Sequence, residues 1–163
     1  MANEMSNDKD KPKDAPGVVA LPPVIFAAAI AGGFALEFLA PTAFAAPGSH
    51  AVSGIVLLAA GVVIMGLGLL EHRRNGNDPD PRQADVTVMT RGIYRRTRNP
   101  IYVGYILVQA GIGIWADSWW VLGMLIPAFL VIRYGVVARE EAYLEAKFGQ
   151  TYTAYKKSVR RWI

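Results

Sequence analysis

Two polar clusters in this chain have residue types and spacings suited to chemistry. The first is Arg91-Gly92-Ile93-Tyr94-Arg95-Arg96-Thr97-Arg98-Asn99-Pro100-Ile101-Tyr102-Val103-Gly104. Pro100 disfavours a helical conformation at Asn99 and itself suits the first position of a helix, so a helix should start there with free amide donors at its end. Such an end favours a carboxylate or an adenine acceptor. Arg95, Arg96 and Arg98 would equally hold lipid headgroups at a membrane surface, and charge alone favours that plainer use.

The second cluster is Arg139-Glu140-Glu141. Adjacent helical residues point about 100° apart, so only one of the two glutamates is expected to face a given pocket. Glutamates where a helix leaves the membrane also serve as solvated surface or as partners for a basic neighbour. Arg133 lies seven positions before Glu140, on the same side of a helix and about 10 Å lower by the 1.5 Å rise. An arginine at that depth snorkels or pairs.

The elements that must carry these clusters are apolar helices. Hydrophobic residues make up 53% of the 163 and charged residues 18%, and the mean hydropathy of +0.26 exceeds the ordinary soluble range. Of the 17 Lys and Arg residues, three precede residue 18, seven fall within 71–99 and seven within 133–163. The segments 41–50 and 115–118 carry none, and each joins two apolar stretches. The bias of cytoplasmic loops towards Lys and Arg then draws a four-pass membrane protein with both ends inside, in a bacterial inner membrane. Both polar clusters fall on the cytoplasmic face.

The reading is therefore an all-α integral membrane domain over 18–163, preceded by a disordered polar tail over 1–17. Helices are expected at about 18–40, 51–70, 100–116 and 119–137, with a turn-rich loop starting at Glu71. The third is short for a full crossing and pairs with the fourth as a hairpin whose turn carries Trp115, Trp119 and Trp120 as interfacial anchors. A cytoplasmic amphipathic helix follows over 138–158. Its stripe of Leu144, Phe148, Tyr152, Tyr155 and Val159 can rest on the bilayer or pack over the 71–99 segment and close a pocket. Glu37, far from the cytoplasmic clusters, is read as an anchor or a helix-pairing residue.

Several function classes are disfavoured. There is no cysteine, which removes disulfides and thiolate chemistry. His50 and His72 stand at opposite ends of one apolar run, so no metal site is expected. The net charge of +4 follows the membrane surface rather than a nucleic acid. Gly111-Ile112-Gly113-Ile114-Trp115-Ala116 fits a dinucleotide-binding string, but no strand precedes it and it lies inside an apolar helix.

Taken together, Gly92-x-Tyr94-x-x-x-Arg98-Asn99-Pro100-x-Tyr102-x-Gly104, then Glu140-Glu141-x-x-Leu144, Phe148-Gly149-x-x-Tyr152-x-x-Tyr155 and Val159-Arg160-Arg161-Trp162, resemble the isoprenylcysteine carboxyl methyltransferase family. The resemblance covers 86–163 and extends to its bacterial relatives and to phospholipid N-methyltransferases. It implies a membrane-embedded enzyme that transfers a methyl group from S-adenosylmethionine. Carried over by the motifs, the cofactor-binding residues are Val86, Thr87, Val88, Met89, Tyr94, Asn99, Pro100, Ile101, Tyr102 and Glu140. Arg98 and Arg133 are the candidate catalytic residues.

Those residue types suit the ligand. Glu140 can accept from an ammonium, and Tyr94 and Tyr102 offer aromatic faces to a cationic sulfur or an adenine. A dry pocket at the membrane boundary favours methyl transfer to an anionic acceptor, mostly by positioning. Two positions depart from the family pattern: Asn99 replaces a histidine, and Val136 stands where a substrate-contacting arginine is expected, a role open to Arg133. The acceptor is a lipophilic small molecule or lipid. An isoprenylcysteine-like carboxylate, a phospholipid headgroup and a small thiol all remain open, as does a non-enzymatic protein that binds anionic lipid.

Overall fold

The computed structural model describes residues 15–43 and 50–163, and among these there is no strand. The helices are α1 (Pro22–Leu39), α2 (Ala51–Asn75), α3 (Pro100–Trp115), α4 (Trp119–Gly123), α5 (Leu125–Leu130), α6 (Ala138–Phe148) and α7 (Gln150–Ser158). A 3-10 turn at Gly92–Arg95 precedes α3, and a π-helical stretch at Val131–Val137 joins α5 to α6. Pro22–Leu39, Ala51–Asn75 and the column Trp119–Phe148 are each long and apolar enough to cross a membrane, and α3 is a shorter apolar helix. Val52, Ile55, Val56, Val62 and Val63 face outward from α2. An apolar surface of that extent belongs in lipid.

Glycines decide how the helices meet. Gly54, Gly61 and Gly68 recur every two turns on α2, and Gly104 and Gly111 do so on α3. A Cβ on Gly61 would lie 2.7 Å from the Gly104 carbonyl oxygen, and one on Gly111 would lie 2.6 Å from the Leu58 nitrogen. The two backbones are in contact, as small residues allow where lipid gives no hydrophobic drive for association. Across the other side of α3, Phe26 stacks on Tyr105 at 5.1 Å, and Phe26, Ala29, Tyr102, Ala128, Ile132, Val136 and Val137 form the core.

Several boundaries differ from expectation. The first helix starts at Pro22 rather than 18, because residues 18–21 lead in along the π-helical stretch, where the Val19 amide donates to the Gly135 carbonyl at 3.1 Å. Of the tail expected to be disordered, residues 1–14 lie outside the described residues. The second helix runs five residues past Leu70, so Glu71–Asn75 are not loop. Arg73 and Arg74 in its last turn complement the carbonyl end of the helix, and it stops at Gly76, whose φ of 72° suits glycine. Pro127 lacks the amide that would bond back across Gly123, and the fourth span is interrupted at Met124. The single amphipathic helix expected over 138–158 is in fact two, divided at Gly149 with φ of 51°.

The far end is latched by Glu37. Its carboxylate accepts from the Thr42 amide and hydroxyl and, at 2.5 Å, from the Ser118 hydroxyl, which also caps α4. Trp120 donates to the Ala40 carbonyl at 2.8 Å, and Trp115 and Trp119 stay exposed around the turn. Glu37 thus pairs α1 with α4.

The seam yields a test. Gly61→Leu should cost about 1–3 kcal/mol by overpacking, a fall of several degrees in the melting temperature of the detergent-solubilised protein. Gly66, which has nothing within 4 Å of a built Cβ, should accept alanine with no loss. Equal melting temperatures for the two variants would mean that the backbones do not touch.

Candidate active site

The end of α2, the segment after it and the starts of α3 and α6 enclose one cavity of about 410 Å³. Drug-sized and cofactor-sized ligands occupy pockets of roughly 300–1,000 Å³. His72 comes from the last turn of α2, Asp85 and Thr87–Met89 from the connecting segment, Tyr94 from the 3-10 turn, Tyr102 and Tyr105 from α3, and Glu140 from α6. Tyr152 and Tyr155 of α7 close one side. The amphipathic stripe therefore turns its tyrosines onto this cavity, and the Tyr155 hydroxyl donates to the Tyr94 carbonyl at 2.7 Å.

The connecting segment is held by Asn77. Its side-chain amide donates to the Thr87 carbonyl at 2.8 Å, while its oxygen accepts from the Val86 and Thr87 amides at 2.9 and 3.1 Å. One buried side chain thereby pins an otherwise irregular strip of backbone over the cavity. Gly92 is fitted to its place in two ways. Its φ is 56°, and an added Cβ would lie 2.5 Å from the Glu71 carboxylate. That packing sets Tyr94 against the end of α2, its hydroxyl 3.2 Å from His72 Nδ1. Burial pushes the Tyr94 hydroxyl well above its usual pKa, so it remains a donor at neutral pH.

Glu140 and Glu141 have separate tasks. Both line the cavity, which wraps the helix far enough to meet adjacent residues. Glu141 is consumed internally: Arg161 grips it with two hydrogen bonds at 3.0 and 2.6 Å, and Arg98 Nη1 lies 3.0 Å away. Glu140 accepts only from the Tyr102 hydroxyl, at 2.5 Å, and among the described residues no basic side chain lies within ion-pair distance of it. A carboxylate so placed wants a cation.

Arg98 is buried beside Glu141, its Nη1 3.0 Å from that carboxylate, and it lines the cavity. Asn99 lines the cavity, but its side-chain amide donates to the Arg161 carbonyl at 2.8 Å, alongside Thr97 at 3.2 Å. The closing segment is thus tied to the start of α3, and Trp162 packs on Phe129 at 5.1 Å. Of the residues singled out by sequence, Thr87, Val88, Met89, Tyr94, Arg98 and Asn99 line the cavity. Ile101, Tyr102 and Glu140 complete the set.

Three do not. Val86 is exposed with its side chain turned away, and Pro100 is buried in the helix start. Arg133 sits in the π-helical stretch over the Tyr134 ring at 5.3 Å, outside the lining. Val136 is fully buried in the core and is not part of the lining. His72 and Asn77 were missed by sequence reasoning, because both were set in a turn-rich loop starting at Glu71 and His72 was weighed only as a metal ligand. Among the described residues no group of three His, Cys, Asp or Glu side chains converges to hold a metal ion.

The family profile of phospholipid methyltransferases matches residues 49–151, more than half of the chain. An uncharacterized protein of Haemophilus influenzae is 42% identical over 66 residues, which are all of that protein and 39% of this chain. No solved structure matches.

The two glutamates separate experimentally. Glu141→Ala leaves the buried Arg98 uncompensated and should destabilise by about 3–5 kcal/mol, the scale for breaking a buried pair. Glu140→Ala removes one hydrogen bond and should cost only about 1 kcal/mol. Thermal unfolding in detergent checks both, and comparable losses would refute the division of labour.

Proposed function

Because the chain belongs to the phospholipid methyltransferase family of membrane methyltransferases, we propose that its cavity binds S-adenosylmethionine and delivers the methyl group to a lipophilic acceptor. The observation that carries this reading is the Glu140 carboxylate, held by Tyr102 and lining the same cavity as Tyr94, with no basic side chain of the described residues in ion-pair distance. The cofactor brings a sulfonium, an ammonium and a carboxylate, and supplies the transferable methyl group.

The residues fit those three groups. Glu140 accepts from the ammonium, and Arg98, the guanidinium of the cavity wall, is the group of opposite charge nearest to hand for the carboxylate. Tyr94 and Tyr102 present aromatic faces or hydroxyls to the cationic and nucleoside portions. The backbone of Thr87–Met89, fixed by Asn77, gives peptide groups for the adenine edge. Tyr152 and Tyr155 keep water from the reacting centre, and the apolar wall of Leu69, Ile101 and Tyr105 receives the lipophilic part of the acceptor. No protein nucleophile is involved. Rate acceleration comes from holding the acceptor in line with the methyl group in a dry site.

The orientation follows from charge. The cavity lies at the end of the molecule that carries the basic segments 71–99 and 133–163, and we place that end in the cytoplasm of a bacterial cell, with the spans in the inner membrane.

Calorimetry in detergent tests the reading. S-adenosylmethionine or its demethylated product should bind the wild type, and Glu140→Ala and Tyr94→Ala should each weaken binding at least tenfold, about 1.4 kcal/mol. Folded protein that binds neither compound ends the proposal.

A further inference from the structure

Residues 15–23 enter the cavity wall from outside the portion of the chain that the family profile matches, which begins at residue 49. Pro16, Leu21, Pro22 and Pro23 line the cavity. A proline has no amide hydrogen to donate and its ring is apolar, so this side of the wall offers little to an ammonium, a carboxylate or an adenine edge and suits hydrocarbon. Its place in the fold agrees. One turn into α1, Phe26 stacks on Tyr105 at 5.1 Å, so the start of α1 stands beside Tyr105 on the apolar side of the cavity.

The segment has a seat of its own. Leu21 is held extended ahead of Pro22, with φ of −69° and ψ of 132°. Val18 packs on the core, and the Val19 amide donates to the Gly135 carbonyl at 3.1 Å. A Cβ on Gly135 would lie 2.5 Å from Val19 Cγ2, so a side chain there would lift the segment off the π-helical stretch. Arg139 Nη1 adds a bond to the Gly17 carbonyl at 2.5 Å. Pro16 is buried and Gly17 is exposed, as in a strap that turns one face inward. Arg139 is the neighbour of Glu140, and the turn of α6 that gives the cavity its carboxylate also fastens this strap.

Resting on the methyltransferase reading above, we propose that residues 15–23 are the specificity-determining wall for the acceptor: a strap, seated on the π-helical stretch through Gly135 and Arg139, that bounds the hydrocarbon part of the methyl acceptor and takes no part in holding the cofactor. Pro16 and Leu21 are the strap residues that this hydrocarbon touches, with Leu69 and Tyr105 across from them on the cavity wall. Cofactor and acceptor then have separate walls. Bulk on the strap sets which hydrocarbon fits and leaves the affinity for the cofactor unchanged.

The sequence has no cysteine, so a single one introduced into the full-length protein can be derivatised alone. Leu21→Cys in detergent is treated with methyl, butyl or octyl methanethiosulfonate, which fills the strap side of the cavity to graded depth. Affinity for S-adenosylhomocysteine should stay within about threefold of the unmodified variant throughout, while transfer of labelled methyl from S-adenosylmethionine to a lipid extract of the host membranes falls at least about tenfold with the octyl chain and little with the methyl group. The same octyl chain on Val56→Cys, which faces outward from α2, should change neither. Loss of cofactor affinity, or transfer indifferent to chain length, overturns the inference, as does a wild type that binds the cofactor and labels nothing in the extract. A wild type that binds no cofactor overturns the methyltransferase reading instead.

The seat is read apart from activity. In Pro16→Cys the thiol takes the place of a buried ring and should react slowly with a water-soluble maleimide. Adding Gly135→Val drives Val19 off its seat and should speed that reaction at least about tenfold, as local opening of the strap exposes the thiol. Arg139→Gln cuts only the bond to Gly17 and should speed it about threefold. If Gly135→Val fails to fold, the rate in Arg139→Gln decides. A thiol that reacts fast in the parent, or no faster in the released variants, removes the seat and with it the proposal.

Discussion

Backbone contact between α2 and α3 is the constraint on which the site depends. Gly54 faces Gly111, Gly61 faces Gly104 and Gly68 meets Ile101, so the register of two antiparallel helices is set along their whole common length. Side chains larger than hydrogen at these points would separate the axes and let one helix slide on the other. With the register set, Gly92 and Tyr94 arrive against Glu71 and His72, and Tyr102 arrives one turn into α3 on the side that faces Glu140. Sub-ångström placement of groups on three separate segments thus derives from glycines that touch no ligand.

Polar residues at the cavity end divide into those that spend their hydrogen bonds on the protein and those that keep them. Glu141, Arg161, Thr97 and Asn99 knit the closing segment to the start of α3, and Asn77 fixes the strip that covers the cavity. Their satisfaction is what permits Glu140 to be held in place against the Tyr102 hydroxyl with capacity unspent. A buried charge or ring with free valence is costly to maintain, and it persists where the surrounding network is rigid enough to forbid its collapse onto a neighbour.

Much of this was legible in residue types and order. Apolar runs and the distribution of basic residues gave the helices and the common end of both polar clusters, and Pro100 marked the start of α3. Tyr94 and Glu140 stood out by motif. What was not legible arises from contacts distant in sequence. Gly54, Gly61 and Gly68 read locally as weak helix formers, although their meaning lies in the opposite helix. Glu71 to Asn75 read as the start of a loop because polar composition outweighed the stabilising basic last turn. His72 and Asn77 gained significance only when the 3-10 turn and the covering strip were brought over them. Arg133 was drawn to the site by helical periodicity, which the π-helical stretch at Val131–Val137 interrupts before Glu140 is reached.

Unequal helix lengths explain why the cavity forms where it does. At 25 residues α2 spans about 37 Å, whereas α3 at 16 residues spans about 24 Å, by the 1.5 Å rise. Because Gly54 is level with the far end of α3, the excess of α2 lies at the cavity end. This overhang stands beyond the start of α3. It carries Glu71 and His72 past Pro100, and the space it leaves above the start of α3 is roofed by the strip at 85–89 and walled by α6 and α7. A site built in that step is open to water-soluble ligands on one side and reaches the apolar residues Leu69, Ile101 and Tyr105 on the other. It is a geometry in which a charged small molecule and a lipid-dissolved partner can meet without either crossing the membrane.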